Sequence, residues 1–242
     1  ASGEASAVPE DLPEDLRTPV QTLLAWDGQL SADSRAATLY VAWWSELQQE
    51  ARQALVPASA RSLITTLHPH AVTDWLHGLL RTPTPQSGEG WDVMAKTLIR
   101  AASRVAALPR DAAGHGPTWG DLHRVDLQHA LRSWLGTPWK GRLDAVGGRS
   151  GGDGGTVHAR WYASFDRPRV TGGASFRAVL EAGAWESARA INFPGQSGDP
   201  RSPHYRDLYA RWVEGASFAL PFTVQEVEES SAQTLHIPAA QP

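Results

Sequence analysis

Up to Leu108 the apolar residues of this chain recur at three- and four-residue steps, and past Pro109 that long pattern stops. A chain whose period changes midway is neither one helical bundle nor one uniform sheet, so an α+β architecture is expected, with a helical first half followed by strands. Leu16, Val20, Leu23 and Leu24 form a first short stripe. After an Asp33-Ser34 cap, Ala37, Tyr40, Val41, Trp44 and Leu47 form a longer one. Ser62 to Leu80 carries Leu63, Leu67, Trp75, Leu76 and Leu79 and is interrupted at Pro69, because proline breaks a helix interior. Trp91 to Leu108 carries Val93, Leu98, Ala101 and Val105 and stops at Pro109.

Beyond Pro109 come Gly114, Gly116 and Gly120, then the run Gly147 to Gly155, which reads as a loop. Thr156 to Tyr162, Ala174 to Leu180 and Ala188 to Phe193 are short, β-rich and separated by turn residues, the pattern of consecutive antiparallel strands. Ser202-Pro203 pairs an N-cap with proline at the first helical position, opening a helix that carries Tyr205, Leu208, Tyr209 and Trp212 and ends at Gly215. Thr223 to Glu226 matches a capping box, and Thr234 to Pro238 reads as a closing strand. The expected organisation is a flexible lead-in over 1–13, a helical segment over 14–110 and a strand-rich part over 111–242.

Lys+Arg 22 against Asp+Glu 26, a net charge of -4, leaves no basic excess for a polyanion footprint, so nucleic acid is not an expected partner. No stretch approaches the roughly 18–20 uncharged apolar residues of a membrane span, so a membrane is not an expected partner either. Cys 0 removes thiol nucleophiles, thiolate metal sites and disulfides together. Trp 11 exceeds Tyr 4 and Phe 5 combined; such density points to large elements wedged together, or else to a binding surface. The first residue is Ala1, with no secretory signal before it, which fits a segment of a longer precursor.

The residues alone offer no strong catalytic constellation. His68 and His70 form an H-x-H pair and His123 and His129 lie six apart, but neither pair has a cysteine or an H-E-x-x-H glutamate to complete a zinc site. His115 sits between two glycines as a loop residue. The Gly147 to Gly155 run lacks the G-K-[ST] ending of a phosphate loop. Gly195-Gln196-Ser197-Gly198 departs from the G-x-S-x-G nucleophile elbow by one position. A trio of Ser197, His204 and Asp207 can be composed from it, though a tight turn with a helix cap serves equally.

The segment Asn192-Phe193-Pro194-Gly195-Gln196-Ser197-Gly198-Asp199-Pro200-Arg201-Ser202-Pro203-His204-Tyr205-Arg206-Asp207 resembles the signature near the carboxyl end of the penicillin amidase (penicillin acylase) family. Trp26-Asp27-Gly28, Asp33-Ser34, Trp119-Gly120-Asp121-Leu122-His123, Asp153-Gly154-Gly155-Thr156-Val157 and Ser175 to Glu181 fall in the same order as in that family. The resemblance implies an N-terminal-nucleophile amide hydrolase with an αββα core, cleaved by its own precursor chemistry into a small α and a large β subunit. This chain would be the carboxyl-terminal part of the β subunit, with the rest of that subunit and the α subunit as partners and a small-molecule amide as substrate.

In such enzymes the first residue of the β subunit is a serine whose own α-amine acts as base, and a backbone N–H and an asparagine hold the oxyanion. Ser2 follows Ala1 and so has no free amine, and the lone asparagine, Asn192, lies in a different motif. The nucleophile is therefore expected upstream, and no catalytic residue is assigned within this chain, which would be inactive alone. Glu181 is the candidate accessory carboxylate, placed to orient a histidine. Gly195, Gln196, Ser197, Gly198, Ser202, His204, Tyr205 and Asp207 are the family-signature residues, read as structural. No cofactor is expected in this chain; the calcium of some members would bind elsewhere in the full-length enzyme. Family habit further implies a periplasmic or secreted enzyme and a link to antibiotic biosynthesis. The competing expectation is a non-catalytic binding module derived from the same family.

Overall fold

The structure, a computed structural model, describes residues 12–81 and 88–235. Most of the expected lead-in, residues 1–11, lies outside them. Helices and small antiparallel strands alternate in an α+β arrangement. Contacts divide the chain into two units, Ala1–Val125 with Arg149–Thr171, and Asp126–Gly148 with Gly172–Pro242.

The first unit opens with α1 (Glu14–Leu24), α2 (Arg35–Leu55), α3 (Pro69–Arg81) and α4 (Glu89–Ala106). Ser34 starts α2 as expected, its hydroxyl accepting from the Ala37 amide at 3.0 Å. The helices pack through Leu16, Ala37, Leu39, Val41, Ala42, Leu98 and Ala101, a core that Trp119 and Phe165 complete. Small residues in that list let α2 and α4 approach closely. Beside the apolar seam, Glu46, only 6% exposed, takes Nε of Arg100 at 2.8 Å and Nη1 of Arg104 at 2.6 Å. A buried carboxylate is tolerated there because both oxygens are matched by guanidinium donors.

Residues 62–68, expected as helix, are not helical, and α3 begins at Pro69. Proline disfavours the α conformation in the residue before it but suits a first helical turn, so it starts a helix here rather than interrupting one. The unit continues with α5 (Trp119–Leu122) and the start of β1 (Arg124–Leu127), and its second segment holds β3 (Arg160–Trp161).

The second unit holds most of β1, α6 (Thr137–Leu143) and most of β2 (Ala145–Arg149), then β4 (Gly172–Gly173), β5 (Phe176–Val179), β6 (Arg189–Asn192), α7 (Tyr209–Glu214), β7 (Phe218–Ala219) and α8 (Val224–Ser230). β5, β6 and β7 form an antiparallel sheet in that order, with Phe176 opposite Asn192, Arg177 opposite Ile191 and Ala190 opposite Phe218. Trp212 of α7, 1% exposed, packs on Phe193 with ring centroids 4.8 Å apart and donates Nε1–H to the Ala174 carbonyl at 2.9 Å.

Four expectations about local structure are corrected. The glycine run is not all loop, because β2 takes Gly147 to Arg149. Thr156 to Ala159 is turn, with strand only at Arg160–Trp161. Thr156 Oγ1 accepts from the Asp153 amide at 2.8 Å and Ala159 sits at φ 46, so side-chain bonding to local backbone outcompetes the ladder. The helix expected from Ser202 is a 3-10 turn at Pro203–Tyr205, and α-helix resumes only at Tyr209. Arg206 at φ -138 breaks it, and the Leu208 amide bonds the Pro194 carbonyl instead. Gly215 does end α7, at φ 78, and Thr223 with Glu226 does form the capping box of α8. Thr234 and Leu235 are not strand, and the rest of the expected closing strand lies outside the described residues. No described helix is long and apolar enough to cross a membrane.

Candidate functional site

Three separated motifs meet in the first unit. The Trp119 amide donates to the Ser34 carbonyl at 2.9 Å and the Gly120 amide to the Ala32 carbonyl at 2.8 Å. The Gly152 amide donates to the Leu30 carbonyl at 2.7 Å. Glycine is required at 120, because a Cβ there would stand 2.7 Å from the Ala32 methyl and 2.8 Å from its carbonyl oxygen. Trp119, fully buried, ties the third motif in through Nε1–H to the Gly152 carbonyl at 2.8 Å.

Arg149 clamps the same segments. Its Nη1 meets Asp33 Oδ1 at 2.6 Å, its Nη2 reaches the Ala32 carbonyl at 3.0 Å and Thr118 Oγ1 at 2.6 Å, and its Nε meets Asp121 Oδ1 at 3.2 Å. Asp121 also closes the cap of α5, taking the Thr118 hydroxyl at 2.7 Å and the Thr118 amide at 3.0 Å. The Thr118 hydroxyl first, and Arg149 in addition, hold the Asp121 carboxyl below the usual carboxylate range.

Behind this clamp lies a closed polar and aromatic cluster. His123 stacks on Trp119 and meets Tyr162 edge-on, with centroids 4.5 and 5.3 Å away. Ser150, also fully buried, offers its carbonyl to His123 Nδ1 at 3.1 Å and its hydroxyl oxygen to Arg160 Nη1 at 2.9 Å. A carbonyl only accepts, so in this contact Nδ1 is the donor. Burial, helped by the Arg160 charge, lowers the His123 pKa from 6.5 to about 4. Burial, and then the charge of Asp153, raises the Tyr162 and Tyr40 phenols.

The second unit contains the signature segment. Both the Gln196 and Ser197 amides donate to the His204 carbonyl, at 2.9 and 3.1 Å, folding the turn back on itself. Gly195 is obligatory, since a Cβ there would collide with the His204 carbonyl, with Asp207 Oδ1 at 2.7 Å and with the Tyr205 carbonyl carbon at 2.8 Å. Gly198 is not so confined. Ser202 Oγ caps the His204 amide at 3.2 Å. The Tyr205 hydroxyl donates to the Leu143 carbonyl at 3.2 Å, Arg206 to the Asp144 carbonyl at 2.5 Å and Tyr209 to the Gly147 carbonyl at 2.7 Å. The segment therefore clips the 143–147 backbone to the exit of β6. Pro200, Ser202, Pro203, Tyr205, Arg206, Asp207 and Tyr209 line a shallow cavity of about 440 Å³ beside it.

His204 Nδ1 lies 2.9 Å from Asp207 Oδ2, whereas Ser197 Oγ accepts from the Asp199 amide at 3.1 Å. The trio of Ser197, His204 and Asp207 thus shows a His–Asp pair and a serine hydroxyl engaged in its own turn. Glu181 is exposed just past β5, and its Oε2 accepts from the Ser187 hydroxyl at 3.1 Å. His68 and His70 stack on each other at 5.1 Å, and His115 lies 3.4 Å from Asp111. Among the described residues no group of three or more His, Asp or Glu side chains is placed to hold a metal ion. Arg149, Arg160 and Tyr162 were not singled out by the sequence. Their partners lie far along the chain, and only the glycines next to Arg149 hinted at close packing.

The family model for penicillin amidase matches residues 2–229. The chain belongs to the penicillin amidase family. It is 34% identical over 220 residues to penicillin acylase 2 proenzyme of Pseudomonas sp. (strain SE83), a span of 88% of this chain and 27% of that protein. It is 28% identical over 250 residues to acyl-homoserine lactone acylase QuiP of Pseudomonas aeruginosa, covering 92% of this chain and 29% of that one. The chain thus spans just over a quarter of the length of the curated relatives it matches. A solved structure, thermostable penicillin G acylase from Alcaligenes faecalis, aligns with 98% of this chain and 45% of its own at TM-score 0.48 and 16% identity.

Proposed function

We propose that this chain forms part of an amide hydrolase of the penicillin acylase type, with an N-terminal serine outside these residues as nucleophile. The supporting observation is the family match over residues 2–229 together with a signature segment whose polar groups are engaged in holding backbone rather than aimed at a substrate. The substrate class is a linear amide, such as the acyl side chain of a β-lactam or of a homoserine lactone. The serine's own α-amine would take the hydroxyl proton during attack on the carbonyl and pass it to the amine that leaves as the amide C–N bond breaks, and water would release the acyl group as the acid in a second step. The partners on this reading are the remaining polypeptide of the same precursor, processed by its own serine, and the compartment is the periplasm or the exterior.

The two units described here act as scaffold. A carboxylate such as Glu181 enters the chemistry only if a histidine of the partner polypeptide reaches it. The test is to produce this chain together with the rest of its precursor and to assay release of a chromogenic amine from aryl and acyl amides. The expected result is turnover that disappears when the partner's terminal serine is changed to alanine and that survives Ser197→Ala. Turnover by this chain alone, lost in Ser197→Ala, would overturn the proposal.

A further inference from the structure

The segment from Ser150 to His158 buries no large apolar side chain. Val157, the one it has, is 93% exposed. What fixes the segment is a set of hydrogen bonds around His123. The Ser150 amide donates to the His123 carbonyl at 3.0 Å, and the His123 ring returns a bond through Nδ1 to the Ser150 carbonyl at 3.1 Å. One residue pair thus carries two of the ties, and the bonds of Gly152 to Leu30 and to Trp119, the ring stacked on His123, carry two more. At the far end the Arg160 amide donates to the Asp153 carbonyl at 2.9 Å, and Ala159 before it sits at φ 46, a left-handed conformation that strains an alanine. A stretch with few buried apolar contacts and a strained exit opens at low cost compared with the helical core behind it.

His123 is fully buried, between the face of Trp119 and the edge of Tyr162. The carboxylates nearby are committed elsewhere, Asp121 of α5 to Thr118 and Arg149, and Asp153 to the Gly155 amide. The phenols of Tyr162 and of Tyr40 in α2, raised by burial, stay neutral. Burial disfavours a charged ring more than the backbone of Ser150 and of Arg160 favours one, and the Arg160 guanidinium opposes it further. Once the segment opens, the ring meets water and takes a proton at its ordinary pKa.

We propose that His123 is a proton-operated latch: a proton on its ring releases the segment from Ser150 to Arg160 from α5 while α2 and α4 stay folded. Acid does not create the open form. It favours a form already visited, because between the two pKa values only the open form binds the proton. With the ring at 6.5 when open and at about 4 when closed, the open population rises as pH falls through that window, about twentyfold from pH 7 to pH 5. The latch belongs to the resting fold of the first unit and does not rest on the hydrolase reading.

The test is residue-resolved amide hydrogen exchange of the native protein at pH 7, 6 and 5, each rate compared with that of an unstructured peptide at the same pH. The amides of Ser150, Gly152 and Arg160 are expected to be at least tenfold less protected than those of Val41 and Ala42 in α2, and to lose about twentyfold of their protection from pH 7 to pH 5. His123→Phe, which keeps a ring in the stack but takes no proton, is expected to hold that protection constant. Constant protection in the parent overturns the proposal, as does a loss that persists in His123→Phe. Protection equal to that of Val41 and Ala42 at every pH also overturns it, because the unit then unfolds as a whole. If His123→Phe does not fold, the NMR titration of the His123 ring takes its place: a midpoint below pH 5.5 alongside the exchange loss supports the latch, and a midpoint at or above pH 5.5 overturns it.

Discussion

His123 stacks on Trp119 with their ring planes 13° apart, and the pair is closed off by Tyr162 and the Ser150 carbonyl. The imidazole is held neutral in the folded chain, so its pKa lies below its unfolded value of 6.5, at about 4. The unfolded chain therefore binds the proton first as pH falls, and stability drops through the window from 6.5 to 4. At ~1.36 kcal/mol per pKa unit, the loss is about 3 kcal/mol. Urea unfolding at a series of pH values should show this fall above the range where carboxylates titrate. His123→Phe, which keeps the stack but cannot be protonated, should be flat across it. A wild-type curve equally flat between 6.5 and 4.5 would contradict the burial described here.

The two signature glycines are expected to behave oppositely. Gly195→Ala pushes a methyl into the backbone of His204 and Tyr205, and overpacking against groups that cannot step aside costs about 2–3 kcal/mol. Gly198→Ala meets nothing within 4 Å and should stay within ~0.5 kcal/mol of the parent. Thermal unfolding of the pair checks this, and equal effects would show that the turn is not held as described.

Glu46→Ala leaves Arg100 and Arg104 facing each other beside α2 without their shared carboxylate. Removing one partner of a buried ionic cluster is costly, and water reaching both guanidinium groups moderates the loss to about 2–3 kcal/mol. Glu46→Gln should cost less, since its amide oxygen still accepts. Denaturant midpoints of the two variants should rank in that order.

Arg149→Lys keeps the charge but loses the fork that reaches Ala32, Thr118 and Asp121 at once, and is expected to cost about 1–2 kcal/mol. Asp33→Ala removes only one end of the clamp, from a side chain 80% exposed, and should lie within ~0.5 kcal/mol of the parent. Urea unfolding distinguishes the two.

Local signals in this sequence were legible wherever one short stretch decided the structure. Ser34, the Thr223–Glu226 box and Gly215 begin or end their helices as their chemistry requires, because cap and ligand lie within four residues of each other. The α+β class followed from the change of period. Thr156 to Ala159 misled because a threonine that favours strands by shape can bond its own turn more easily. Ser202 to Trp212 misled because the Pro194 carbonyl, brought back by the turn, takes the Leu208 amide before a helix can. The signature segment was visible as a pattern, but the difference between Gly195 and Gly198 was not. It depends on the return of His204 and Asp207 to the strand exit. The burial of His123 among Trp119, Ser150, Arg160 and Tyr162 is likewise a product of distant segments meeting, which no local spacing announces.

On the function proposed for this chain, the reacting serine lies outside it. The most direct measurement is to treat the active assembly with an arylsulfonyl fluoride, separate its polypeptides and weigh each by mass spectrometry. The predicted result is one added sulfonyl group on the partner polypeptide's terminal serine and none on this chain. A sulfonyl group on Ser197, with activity lost in proportion, would contradict the account.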